Sequence, residues 1–148
     1  MNADRFANKY GLTFHHLGLA AQKPDTARVF LSNLGYRVGA MVHDPIQNVH
    51  LAMGEHPAMP SVEIICPAPE GGKGPLDRYL AQHKEGLVYH MAFAARDLAA
   101  SIAALKADPE TRAVFWAEPQ EAILFQRRKV VFCIVPGMGL IELVAAQS

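Results

Sequence analysis

The sequence predicts an α+β fold made of two tandem βαβββ modules that share one sheet assembly. Three observations carry that prediction. Phe14-His15-His16-Leu17-Gly18-Leu19-Ala20 is written again, nearly unchanged in pattern, as Val88-Tyr89-His90-Met91-Ala92-Phe93-Ala94, and self-similarity at a fixed offset marks duplicated structural units. Each copy then runs into a short helical pattern that begins near an aspartate, Asp25 in one and Asp97 in the other. Each half closes on a strand-like run with a single acid among apolar residues: Ser61-Val62-Glu63-Ile64-Ile65 and Leu140-Ile141-Glu142-Leu143-Val144.

The elements follow in order. Met1 to Gly11 is a polar lead-in with room for a short helix, and Thr13 to Ala21 is the first strand. Pro24-Asp25-Thr26 opens a helix whose apolar positions Ala27, Phe30, Leu31 and Leu34 recur at helical spacing, and Gly35 ends it. Tyr36 to His43 is a strand, Asp44-Pro45 a turn, Asn48 to Met53 a strand, Glu55 to Pro60 a loop and Ser61 to Cys66 a strand. Pro67 to Lys84 is too rich in Pro and Gly at its start for regular structure, and Leu76 to His83 adds one or two helical turns. The second module repeats the order: strand Leu87 to Ala95, helix Leu98 to Ala107 with Leu98, Ile102 and Leu105 on one side, strand Ala113 to Trp116, strand Lys129 to Val135, turn Pro136 to Gly139 and strand Leu140 to Ala145. The expected organisation is one domain over 1–148, with module one at about 13–66, a linker at about 67–86 and module two at about 87–146.

With 148 residues, half of them hydrophobic, the chain can bury one real core. Its formal net charge of zero argues against nucleic acid or an anionic membrane as partner. No apolar run is long enough to span a bilayer, and Met1-Asn2-Ala3-Asp4-Arg5 does not read as a signal peptide. Cys66 and Cys133 sit in apolar runs and fit reduced, buried side chains of a cytoplasmic protein.

Alternation sets the faces. Leu17, Leu19, Met91, Phe93, Val62, Ile64, Ile141 and Leu143 form bulky faces that belong against the helices. The opposite faces carry His16, His90, Glu63 and Glu142, beside the small Gly18, Ala20, Ala92 and Ala94. Small neighbours leave room for a ligand. A carboxylate in mid-strand is costly unless paired or metal-bound. Two carboxylates and two imidazoles at repeat-matched positions suit a divalent transition metal, with Co, Mn, Ni, Zn and Fe(II) all compatible. His15 competes as a ligand, but its parity matches Leu17 and Leu19, which favours His16. His43, His50, His56 and His83 have no repeat partner and read as surface or loop residues.

At these residues the chain resembles the vicinal oxygen chelate superfamily, which includes glyoxalase I and methylmalonyl-CoA epimerase. The segments that carry the resemblance are His16-Leu17-Gly18-Leu19-Ala20, Val62-Glu63-Ile64-Ile65-Cys66-Pro67, Gly86-Leu87-Val88-Tyr89-His90-Met91-Ala92-Phe93 and Leu140-Ile141-Glu142-Leu143, and Gly74 to Leu80 looks like the short helix between modules. The resemblance spans Thr13 to Ala145. It implies a cupped mixed sheet with helices outside, and a metal held by His16, Glu63, His90 and Glu142. An acid at Glu63 points to the glyoxalase and epimerase branch. One departure stands out: the epimerases carry an acid next to a Gln, whereas Ile46 precedes Gln47 here and Asp44 is out of register, which weighs against methylmalonyl-CoA itself.

The expected activity is that of a metal-dependent isomerase, epimerase or lyase that removes a proton next to a metal-held carbonyl. Glu142 is the first choice of base, with Glu63 as partner acid or second base. Arg127 and Lys129, at a basic turn with Arg128, are candidates to hold a phosphate or carboxylate of the substrate, although a solvated basic turn explains them as well. Trp116 and Phe125 are pocket candidates or core aromatics. The expected partner is a small acyl or α-hydroxycarbonyl compound, a CoA thioester included, and an open sheet edge would favour a homodimer. The alternatives are a non-catalytic, drug-sequestering protein of the same fold, and a single-domain Fe(II) dioxygenase.

Overall fold

The computed structural model describes residues 3–147; Met1 and Asn2 of the expected lead-in lie outside them. In chain order the elements are β1 (Leu12–Ala20), α1 (Asp25–Asn33), β2 (Arg37–Val38), β3 (Val42–Asp44), β4 (Val49–Glu55), β5 (Ser61–Pro67), α2 (Asp77–Gln82), β6 (Leu87–Ala95), α3 (Leu98–Ala107), β7 (Val114–Phe115), β8 (Gln120–Glu121), β9 (Lys129–Val135) and β10 (Gly139–Ala145). Each half is a βαβββ arrangement of mixed sheet, the fold class the repeat implied. The described residues divide into two compact units: 16–89, and 3–15 together with 90–147.

In the unit His16–Tyr89 the strand order is β2-β4-β5-β1, with β3 also on β4. β1 and β5 run parallel, with Gly18 opposite Glu63. β4 and β5 are antiparallel, with Met53 opposite Glu63. The core is Leu31, Tyr36, Ile64 and Cys66, joined by Val62 and Ala27, so the bulky face of β5 does meet α1. That helix starts behind Pro24 without a side-chain cap, with Asp25 in its first turn, where a negative charge complements the helix dipole. Its apolar spacing misleads: Leu31 is buried, but Phe30 and Leu34 are 64% and 45% exposed. A nine-residue helix lying on a sheet buries a narrow stripe, and Ala27 and Leu31 alone supply it from the positions expected. The strand expected over Tyr36 to His43 is broken into β2 and β3. At the break the Gly39 N–H donates to Met53 O and the Gly39 carbonyl accepts from Arg28 Nη1 at 2.7 Å, so a side chain takes the place of a ladder partner. Gly86, just before β6, has φ +89°, and a Cβ there would lie 2.9 Å from the Ala20 carbonyl; only glycine fits that approach.

In the other unit the order is β6-β10-β9-β7, with β8 also on β9. β6 and β10 are parallel, β10 and β9 antiparallel. Leu105, Val131, Cys133, Ile141 and Leu143 form the core, with Met91, Phe93, Leu98 and Ile102 against it. α3 is capped by Asp97, whose carboxylate accepts from Ala100 N at 3.1 Å, the expected N-cap chemistry. The expected strand over Ala113 to Trp116 shortens to β7, and a 3-10 turn at Ile123–Phe125 and β8 were not legible in the sequence. Residues 3–11 form turns, with Ala7 N donating to Asp4 O and Gly11 N to Asn8 O, in place of a short helix. The Tyr10 hydroxyl donates to Asp108 and meets Thr111, while Lys9 Nζ lies 2.8 Å from Asp108. These contacts hold the Asp108 carboxyl well below the usual carboxylate range. Both cysteines are buried free thiols, pushed up to about 11 by burial. Among the described residues no helix is long and apolar enough to cross a membrane.

Candidate metal and catalytic site

His16 lies on β1 and is fully buried. Two residues on, Gly18 is level with Glu63 of β5; residues level across strands project to the same face, so His16 and Glu63 share it. Glu63 is 4% exposed, and its Oε1 stands 3.8 Å from His16 Nε2. Burial pushes the His16 imidazole down to about 4, so at neutral pH the ring is uncharged, the form that binds metals.

The second half repeats this arrangement on its own strands. His90 of β6 and Glu142 of β10 are each 3% exposed. Glu142 is level with Ala92 on one side and with Phe132 of β9 on the other. His90 Nε2 and Glu142 Oε1 are 3.7 Å apart. The Phe132 ring stands edge-on to the His90 imidazole, centroids 5.4 Å apart.

The donor sets fit a metal. Both separations exceed a hydrogen bond. Two donor atoms bound at about 2.1 Å to one ion stand at most about 4.2 Å apart, and 3.8 and 3.7 Å fall within that limit. An imidazole with a carboxylate is a set that divalent transition metals accept.

The remaining candidates separate. Arg127 is exposed and lies 3.7 Å from Glu121; Lys129 is exposed at the start of β9. Arg128 between them is structural, donating through Nε to Phe125 O and through Nη1 to Ala145 O. Phe125 is buried, whereas Trp116 is largely exposed. His15 stacks edge-on against Phe125. His56 Nδ1 accepts from Ala58 N and Met59 N and closes its loop. Asp44 is buried and accepts from the Ile46 and Gln47 amides and from the Gln47 side chain at 3.2 Å, so the acid ahead of Gln47 folds onto it despite its register. Phe132 escaped the sequence reading, yet the alternation Val130, Phe132, Ile134 already placed it opposite the core-facing Val131 and Cys133.

The fold is the glyoxalase-like one of paired βαβββ modules. The family model described as the Glyoxalase/Bleomycin resistance protein/Dioxygenase superfamily matches residues 15–132, and the chain belongs to that superfamily. Among solved structures it is similar to methylmalonyl-CoA epimerase from Mycobacterium tuberculosis, at 19% identity over 100% of this chain and 94% of that one, TM-score 0.78. It is likewise similar to a hypothetical protein from Bacillus halodurans, at 20% identity over 93% and 96%, TM-score 0.75. A variant of the Streptomyces coelicolor methylmalonyl-CoA epimerase in complex with 2-nitronate-propionyl-CoA is 23% identical over 91% and 97%, TM-score 0.67. The curated proteins give no match.

Proposed function

We propose that this protein is a metal-dependent isomerase, epimerase or lyase, in which His16, Glu63, His90 and Glu142 hold one divalent ion. The observation that carries the reading is the duplication itself: each module buries one imidazole and one carboxylate at matching positions, 3.8 and 3.7 Å apart. A divalent ion bound there supplies Lewis acidity toward a carbonyl oxygen. Glu142 acts as the base. The substrate's α-C–H bond breaks, an O–H bond forms on the Glu142 carboxyl, and the electron pair passes into the carbonyl. Glu63, protonated for this step, is the second acid: it gives its proton to the carbon and regains one from solvent, to which Glu142 loses the proton it took. Glu63 and Glu142 are each buried within their own module, which keeps bulk water from both carboxylates. Arg127 and Lys129, exposed where β9 begins, hold an anionic group, as a CoA thioester or a carboxylated acyl compound would offer. Two epimerases of this fold, similar to this chain, support an acyl substrate class.

Elemental analysis of the purified protein tests the reading, combined with proton exchange from solvent D2O into acyl thioesters. One ion per chain, and exchange that Glu142→Gln abolishes with metal retained, is the expected result. Exchange at full rate in metal-stripped Glu142→Gln protein would overturn it. A metal-free protein that binds such compounds without exchange would be a sequestering protein, and oxygen uptake with catechols would mark a dioxygenase.

A further inference from the structure

We propose that the sheet face beside His90 is an apolar subsite for the hydrocarbon or aryl part of the substrate. The inference rests on His90 and Glu142 belonging to the reactive site.

The residues follow from the register. Met91 is level with Ile141, so one step back along both parallel strands Leu140 is level with His90. Leu140 pairs with Ile134, and Ile134 with Val114. Residues level across strands share a face, so His90, Leu140, Ile134 and Val114 form one row from β6 to β7. The row spans three strand spacings of about 4.8 Å. It runs from buried at His90, through half-buried Leu140, to Ile134 and Val114, which are 45% and 56% exposed. In the next row Phe132 packs on the His90 ring, so the apolar surface is continuous with the imidazole. Trp116, two residues beyond Val114, is 58% exposed. The core-facing side of these strands is already filled by Val131, Cys133, Ile141 and Leu143, so the exposed row contributes nothing to that core. A contiguous apolar strip that begins at a buried imidazole and opens to solvent marks a binding face.

The corresponding row of the first module has the opposite chemistry. His16 is level with Ser61. One step on from the Gly54–Val62 pair, Glu55 is level with Ser61, and Arg37 pairs with Glu55. That row is polar and charged throughout. Selection for sheet formation alone gives no reason for one row to be apolar and exposed while its repeat counterpart is charged.

Trp116 is the only tryptophan in the chain and reports on the row without any turnover. The probe is a series of N-acetylcysteamine thioesters from acetyl to hexanoyl, titrated into the protein as purified. The expected result is a saturable blue shift of Trp116 emission, with Kd tightening roughly twofold to fourfold per added methylene. In Ile134→Ser that dependence on chain length is lost, while circular dichroism and metal content stay those of the parent protein. Equal affinity for acetyl and hexanoyl thioesters would overturn the proposal. So would an Ile134→Ser protein that still tightens with chain length. An emission shift that follows protein concentration and ignores acyl chains would assign the row to contact between copies, and would also overturn it. Failure of the metal and base reading appears separately, as a metal-free protein whose chain-length dependence persists.

Discussion

In the first module the row through the histidine reads His16, Ser61, Glu55, Arg37; in the second it reads His90, Leu140, Ile134, Val114. The pairs themselves match closely: imidazole and carboxylate buried in both, 3.8 Å apart in one and 3.7 Å in the other. A metal ion is close to spherical and asks the same donors of each half, whereas an organic substrate has unlike ends. Under the proposed function, duplication keeps what the ion needs and lets the flanking rows diverge toward the substrate. Under this account the metal chemistry is symmetric across the repeat and the recognition chemistry is not.

The largest expected effect breaks the symmetry at the acids. Glu142→Gln lowers kcat on the order of 10²–10⁴-fold, the usual loss for a positioned base, and Glu63→Gln lowers it less; steady-state kinetics with the preferred thioester check both. Equal losses would make the two acids interchangeable in the reaction. The cores should behave alike. Ile64→Ala and Leu143→Ala each remove a fully buried side chain directly after the acid of its module, and urea unfolding should show a loss of about 2–5 kcal/mol for each.

These repeat-matched features were legible because alternation and burial are local rules. The helix Leu98 to Ala107 and the strands Leu87 to Ala95 and Lys129 to Val135 have the bounds that the sequence indicates, since each is periodic and ends in Gly, Pro or a capping Asp. Phe30 and Leu34 misled because helical spacing says which residues share a stripe and not how wide a stripe the sheet covers. The break of Tyr36–His43 into β2 and β3 depends on Arg28 reaching across to Gly39, a long-range contact that no local pattern encodes. The contrast between the two flanking rows needed the strand register, which becomes visible only once β10 is known to lie between β6 and β9.

A smaller difference between the units concerns acid. Tyr10, Thr111 and Lys9 gather on Asp108 only in the unit that carries His90. The folded carboxyl titrates below its ordinary value of 3.8, so the unfolded chain takes up the proton first as pH falls. The stabilisation is therefore complete above that value and drains away as pH drops below it. Asp108→Asn should flatten the acid limb of a stability-against-pH curve below about pH 4 and leave the slope above pH 5 unchanged. The smallest effect belongs to the charged row: Arg37 and Glu55 lie 3.5 Å apart and largely in solvent, so Arg37→Ala should change unfolding stability by under about 1 kcal/mol.

Isothermal titration of the metal-stripped protein with a divalent transition metal tests the proposed single ion most directly, read beside the same titration of His16→Ala and His90→Ala. The account predicts one ion per chain, and a comparable collapse of affinity whichever module loses its histidine. Two ions per chain, or tight binding that survives the loss of either histidine, would contradict it.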